Sequence, residues 1–256
     1  MKRVCLIVSY DGTNYCGWQT QINGITVEEV INTKLKELLG EEISVIGASR
    51  TDSGVHAKAN LAVFDTETRI PAEKISFVLN QRLPNDIRIQ KSFKVKDDFH
   101  PRHCDSVKTY EYNILNRRFP DPLVRLYSYF YYMPLDIDKM REAAGYIVGE
   151  HDFASFCSSG SQATTTVREV YSLNIEKDND MISIRIKGNG FLYNMVRIIV
   201  GTLIKVGLGV YPPSHVKEII EARDRDAAGP KAPAVGLTMI GIEFKDEITD
   251  ANTDEN

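Results

Sequence analysis

Cysteine is scarce. The four residues Cys5, Cys16, Cys104 and Cys157 share no CxxC spacing, a pattern that suits reduced thiols better than a disulfide framework or a zinc site. The one tempting ligand cluster, His100-Pro101-Arg102-His103-Cys104, has no matching second half, so no metal is expected. Uninterrupted hydrophobic runs are also missing. The most apolar stretch, residues 190–210, is broken by Asn194, Arg197 and Lys205, against a membrane span. The opening MKRVCLIVSYDG holds too few apolar residues before Ser9 for a signal peptide, and no small-residue cleavage site follows. A cytoplasmic location is expected. Rossmann, P-loop and zinc signatures are absent.

What remains is ordinary in bulk. With 256 residues, 43% hydrophobic and 26% charged, the chain can form one large or two modest globular domains. A net charge of -4 first argues against nucleic acid. The last fourteen residues, EFKDEITDANTDEN, hold six acids and one lysine; without them 30 basic side chains face 29 acidic ones. A neutral body can still carry a basic face, so charge leaves RNA binding open.

The first half reads strand, helix, strand, strand, helix, strand. Residues 4–9 form an apolar strand, and Asp11-Gly12-Thr13 is turn chemistry. Thr26 with Glu29 makes a capping box for a helix carrying Val27, Val30, Ile31, Leu35 and Leu38, stopped by Gly40. Strands are predicted over 43–48, 60–66 and 87–95, with a helix led in by Pro71. The second half repeats this grammar with longer insertions. It has strands at 109–115, 167–176, 181–187 and 237–244, and helices at 136–149, 191–206 and 213–223. The pattern predicts an α+β protein of two similar halves, cut near residue 105. Residues 1–105 form the first domain, 106–245 the second, and 246–256 an acidic tail expected to be disordered.

Three features stand out. In VIGASRTDSGVHA, a strand breaks into a polar loop carrying Arg50, Asp52 and His56 before apolar alternation resumes. An isolated loop Asp usually caps a helix or closes a turn. Arg50 and His56 in the same loop between core strands point instead to chemistry. In GNGFLYNMVRIIVGTLIKVG, Arg197 lies among Met195, Val196, Ile198 and Ile199. It either snorkels to the surface or is paired with a carboxylate. Were that carboxylate Asp52, the guanidinium would hold it ionised, as nucleophilic catalysis requires. In SVKTYEYNIL, Lys108, Tyr110 and Tyr112 alternate on one strand face. They are either half-buried sheet residues or a stacking surface for an unstacked base.

The motifs YDGTNYCGWQ, RTDSGVHA, KTYEY, GEHDFASF, GFLYNMVRIIVGTL and APAVGL, in this order, make the chain resemble the TruA-type tRNA pseudouridine synthases over residues 4–244. The resemblance implies two ferredoxin-like α/β-sandwich halves with mainly antiparallel sheets, meeting at a central RNA-binding cleft. It implies isomerisation of uridine to pseudouridine in the tRNA anticodon stem-loop, at tRNA positions 38, 39 and 40, without metal or cofactor. By the same resemblance Asp52 is the nucleophile, and Arg197 pairs with it. Tyr110 stacks on the target uracil with Lys108 beside it, and Arg50 intrudes as the base flips from its stack. Leu237 lines the uracil pocket, His56 supports the loop, and the enzyme works as a homodimer. Residues 11–19, with Tyr15 and Trp18, either contact RNA or form a packed aromatic turn. Ser53 stands where the family often has alanine, and Ala59-Asn60 where a small residue and glutamine are expected. The alternatives are a catalytically silent RNA-binding protein on the same fold, and a carboxylate-based nucleoside hydrolase, which should need a second acid that no motif here offers.

Overall fold

Alternation of apolar side chains in KRVCLIVSY makes the first strand, β1 (Lys2–Tyr10), in a computed structural model that describes residues 1–249. There follow α1 (Val27–Leu39), β2 (Ile46–Gly47), β3 (His56–Thr66), α2 (Ile75–Asn80) and β4 (Ile87–Val95). The chain continues with β5 (Ser106–Asn116), β6 (Tyr129–Tyr131), α3 (Ile137–Gly145), β7 (Gly149–Asp152), β8 (Val167–Asp178) and β9 (Met181–Gly188). It closes with α4 (Met195–Gly207), α5 (His215–Ala222) and β10 (Leu237–Phe244). This is a mixed α+β protein with mostly antiparallel strands. Among the described residues two compact units are present, one of residues 1–106 and 239–249, the other of residues 107–238. The final strand therefore belongs mainly with the first unit, although it follows the second in sequence.

In the first unit β1 is central, antiparallel to β3 (Leu6 opposite Ala62) and to β4 (Arg3 opposite Val95). Thr26 caps α1 by accepting from the Glu29 N–H at 3.3 Å, and Gly40 ends it with φ 69°. Cys5, Ala48, Leu61, Val63, Val95 and Phe99 form one buried cluster, joined by Ile242, Phe244 and Ile248. The Lys96 N–H donates to the Ile248 carbonyl at 3.1 Å. The acidic segment is thus docked as far as Ile248, and residues 250–256 lie outside the described residues. The strand expected over 43–48 shrinks to Ile46–Gly47, because only those two residues find a register on β3.

In the second unit β9 lies between β5 (Tyr110 opposite Ile186) and β8 (Ile175 opposite Ile184). The helix expected from Phe191 begins only at Met195, because Asn194 is left-handed (φ 62°) and cannot continue a helix backwards. Every residue of α4 except Lys205 is buried. Gly201 is obligatory there: a Cβ on it would stand 1.6 Å from the Pro230 carbonyl oxygen. Among the described residues no helix is long and apolar enough to cross a membrane.

Candidate active site

The loop carrying Asp52 belongs to the first unit, and its backbone is fixed from both sides. Upstream, the Ala48 N–H donates to the Leu61 carbonyl at 2.7 Å, and buried Asn60 donates through Nδ2 to the Ser49 carbonyl at 3.0 Å. The Trp18 N–H donates to the Thr51 carbonyl at 3.1 Å, while the Thr51 hydroxyl meets the Tyr10 hydroxyl at 2.7 Å. Downstream, the Tyr15 carbonyl accepts from the Gly54 N–H at 3.2 Å and from the Ser53 hydroxyl at 3.3 Å. Between these clamps the Val55 N–H closes a turn onto the Asp52 carbonyl at 3.1 Å. Asp52 is half-buried and Arg50 exposed.

Residues 11–19 supply the downstream clamp, and they are a packed aromatic turn. Trp18 is fully buried and Tyr15 nearly so. The Tyr15 hydroxyl donates to Asp86 Oδ1 at 2.6 Å, and burial, with Asp86 second, pushes that phenol's pKa up. Two glycines allow the approach: a Cβ on Gly12 would lie 2.0 Å from the Val55 oxygen, and one on Gly17 (φ 84°) 2.5 Å from the Thr51 oxygen. His56 is 3% exposed and opens β3. Its Nδ1 accepts from the Gly12 N–H at 3.1 Å and lies 3.1 Å from Asp11 Oδ1. His56 props the turn against the loop.

In the second unit Arg197 is 9% exposed, so it does not snorkel. Its Nε donates to the Ala232 carbonyl at 2.8 Å, and its Nη1 to Asn194 Oδ1 at 2.9 Å. The Ala232 N–H returns a bond to the Arg197 carbonyl at 3.0 Å. Tyr112 is wholly buried and donates to the Pro233 carbonyl at 2.7 Å. Burial raises its pKa, with the Arg197 charge pulling weakly the other way. APAVGL thus presents successive carbonyls to an arginine and a tyrosine, and Gly236 leaves room for the Tyr112 ring, 2.6 Å from where a Cβ would be. Tyr110 is 8% exposed and stands edge-on to Phe191 at 5.3 Å. Lys108 is half-buried opposite Gly188, and Leu237 is buried at the start of β10. Among the described residues no group of three His, Cys, Asp or Glu side chains could hold a metal ion.

A family model described as tRNA pseudouridine synthase matches residues 6–103 and 143–245. The curated protein named tRNA pseudouridine synthase A from Thermoanaerobacter sp. (strain X514) is 51% identical over 244 residues, 95% of this chain and 100% of that one. Proteins of the same name from Clostridium acetobutylicum and Brevibacillus brevis are 50% and 47% identical over the same shares. The chain belongs to the tRNA pseudouridine synthase family. A solved chain of the archaeal box H/ACA sRNP Nop10-Cbf5 complex aligns at 15% identity and a TM-score of 0.35, covering 93% of this chain and 46% of that one, too distant to bear on the reading.

Within the tRNA pseudouridine synthase family match lie Asp52, Arg50, His56, Arg197 and Leu237, whereas Lys108 and Tyr110 fall between its two stretches. Asp52, Arg50 and His56 belong to the first unit; Arg197, Tyr110 and Lys108 belong to the second, as does Leu237. Sequence reasoning overlooked Asn194. The available signal was an amide side chain three residues before a helical arginine with no polar neighbour of its own.

Proposed function

We propose that this protein isomerises uridine to pseudouridine in tRNA, acting in the anticodon stem-loop at tRNA positions 38, 39 and 40. The observation that carries the reading is the Asp52 loop. A half-buried carboxylate is held between two backbone clamps, at Thr51 and at Ser53-Gly54, by an aromatic turn. Such pre-organisation suits a group that must meet one atom of a substrate. Family membership and relatives named tRNA pseudouridine synthase A support the substrate.

In the reaction the bond between uracil N1 and ribose C1′ breaks, the base turns over, and C5 bonds to C1′. The C5 proton leaves and a proton is gained at N1, so atoms and electrons balance without oxidant or metal. Asp52 is the nucleophile. Arg197, held by Ala232 and Asn194 with its charge inside the protein, pairs with Asp52 and keeps it ionised. Tyr110 stacks on the flipped uracil, with Lys108 beside it and Leu237 lining the pocket. Arg50 fills the space the base vacates, and His56 supports the loop. Each unit is a ferredoxin-like half, and the protein acts as a cytoplasmic homodimer that needs no cofactor.

The test is tritium release from tRNA labelled at uracil C5, with wild type and Asp52→Asn side by side. Release by wild type alone is expected. Equal release by the variant would move the nucleophile elsewhere. Release by neither, with tRNA still bound, would make the protein a silent RNA binder.

A further inference from the structure

Just past β4 the chain turns through His100-Pro101-Arg102-His103, a stretch that no part of the catalytic account uses. The His103 N–H donates to the His100 carbonyl at 3.1 Å, and the Arg102 N–H to His100 Nδ1 at 3.3 Å. The two imidazoles stack with centroids 3.9 Å apart and planes 20° from parallel. Arg102 lies on the exposed side of this turn, yet its Nε reaches in to donate to the Gly47 carbonyl at 2.7 Å. Gly47 ends β2, three residues before Arg50 and five before Asp52. One N–H of the guanidinium is therefore spent on orienting it against the strand that leads into the catalytic loop.

The other four N–H groups, on Nη1 and Nη2, make no hydrogen bond to the described residues, and no described carboxylate lies within ion-pair distance of Arg102. The surroundings are cationic. Partial burial, and then the like charge of Arg50, lower the pKa of Arg102, with Glu28 as a smaller opposing influence. Glu28 is itself engaged by the Thr20 N–H at 2.8 Å. Arg3, the other arginine near His100, is already paired with Asp65 at 2.7 Å. A guanidinium pinned at Nε, with its planar fork open and a second arginine beside it, is a receptor for a bidentate anion.

We propose that Arg102 is a phosphate seat. Its open fork grips a backbone phosphodiester of the RNA strand whose uridine enters the Asp52 loop. This rests on the RNA reading above and adds to it a fixed register point on the substrate backbone. The contact reads no base; it sets how far along the strand the target lies from the carboxylate. Lysine would supply the charge but neither the fork nor the bond to Gly47.

The experiment is tRNA binding by wild type, Arg102→Gln and Arg102→Lys between about 50 and 200 mM salt, with turnover and a melting curve for each. One phosphate contact changes the slope of log affinity against log salt by roughly 0.7 to 0.9. The glutamine variant is expected to bind several-fold more weakly, to lose about that much slope, and to keep kcat at saturating tRNA while KM rises. The lysine variant is expected to retain the slope. A glutamine variant with the wild-type slope would overturn the seat. So would two variants that share a fall in kcat or melting temperature with the slope intact, since that is the signature of a prop under Gly47. Wild-type protein without salt-dependent tRNA binding would overturn the RNA reading itself, and the seat with it.

Discussion

Asn194 holds Arg197. The amide oxygen accepts from Nη1 at 2.9 Å, while its nitrogen donates to the Ser158 hydroxyl at 3.0 Å. To do so Asn194 adopts φ 62°, a left-handed conformation that costs an ordinary residue about 1–2 kcal/mol. Both the strain and the bond sit at the head of α4, one turn before the guanidinium. A strained residue with both ends of its side chain engaged indicates a position kept for what it holds.

Separating the strain from the bond gives the first prediction. Asn194→Gly accepts the positive φ but removes the amide; Asn194→Ala removes the amide and retains the strain. A hydrogen bond to a charged group contributes roughly 1.5–3 kcal/mol, or about 10- to 150-fold in rate if it serves the transition state. Both variants should lose kcat on that scale with KM little changed. The alanine variant should also be less stable than the glycine variant by about 1 kcal/mol. Tritium release and urea melts measure the two separately, and wild-type kcat in Asn194→Gly would show that Arg197 needs no such anchor.

A matched pair of glycines tests the aromatic turn. Gly17 and Gly40 both have positive φ, 84° and 69°. A Cβ on Gly17 meets the Thr51 oxygen at 2.5 Å and the Asp52 carbonyl carbon at 3.1 Å, whereas one on Gly40 meets nothing within 4 Å. Each alanine substitution should cost about 1 kcal/mol or more in strain. Only Gly17→Ala must also move the peptide of Asp52, and a displacement of about 1 Å can cost a hundredfold in rate. Gly40→Ala should melt earlier with full kcat; Gly17→Ala should lose both. Equal kcat in the two would show that the turn does not position the nucleophile.

These relationships show why some of the molecule was legible in its sequence and some was not. The α1 boundaries followed from Thr26, Glu29 and Gly40, and β4 and β10 from alternation between turn residues, because those signals are local. β6 and β7 have three and four residues, too short for a period to register. The late start of α4 depends on bonds from Asn194 to Ser158, 36 residues away, so Phe191 looked helical. The Asp52 loop stood out by its polarity. Its clamp did not, since Tyr10 reaches Thr51 across 41 residues and Trp18 reads as any buried aromatic. Arg197 was conspicuous as a charge on an apolar helix; two of its partners, Ala232 and Asn194, carry no charge to betray them.

Gly201 links packing to the site. A Cβ there would come within 1.6 Å of the Pro230 oxygen and 3.5 Å of the Ala232 nitrogen. The chain at 230–232 must retreat, and with it the Ala232 carbonyl that holds Arg197 Nε at 2.8 Å. Overpacking of this kind costs about 1–3 kcal/mol, at roughly 2–4 °C per kcal/mol for a protein of this size. Gly201→Ala should therefore melt several degrees lower and turn over more slowly at saturating tRNA. A variant that melts low yet keeps wild-type kcat would detach Ala232 from the chemistry.

Alkaline pH should unfold this protein through groups that fold in their neutral forms. Burial raises the pKa of Tyr112 and Tyr15 above their ordinary 10.0, and that of Cys5 above its ordinary 9.0. Their contribution is intact below those ordinary values. As pH rises past them the unfolded chain ionises while the folded one does not, and stability falls by about 1.4 kcal/mol per pH unit for each group. Tyr112→Phe isolates one of the three. Near pH 8 it should be less stable than wild type by roughly 1–3 kcal/mol, because the Pro233 carbonyl loses its donor. Near pH 11 that gap should close by about 1.4 kcal/mol, since phenylalanine has no phenol to ionise in the unfolded chain. Urea unfolding at the two pH values measures it. A gap that stays constant would mean that the Tyr112 phenol ionises as readily inside the fold as outside it.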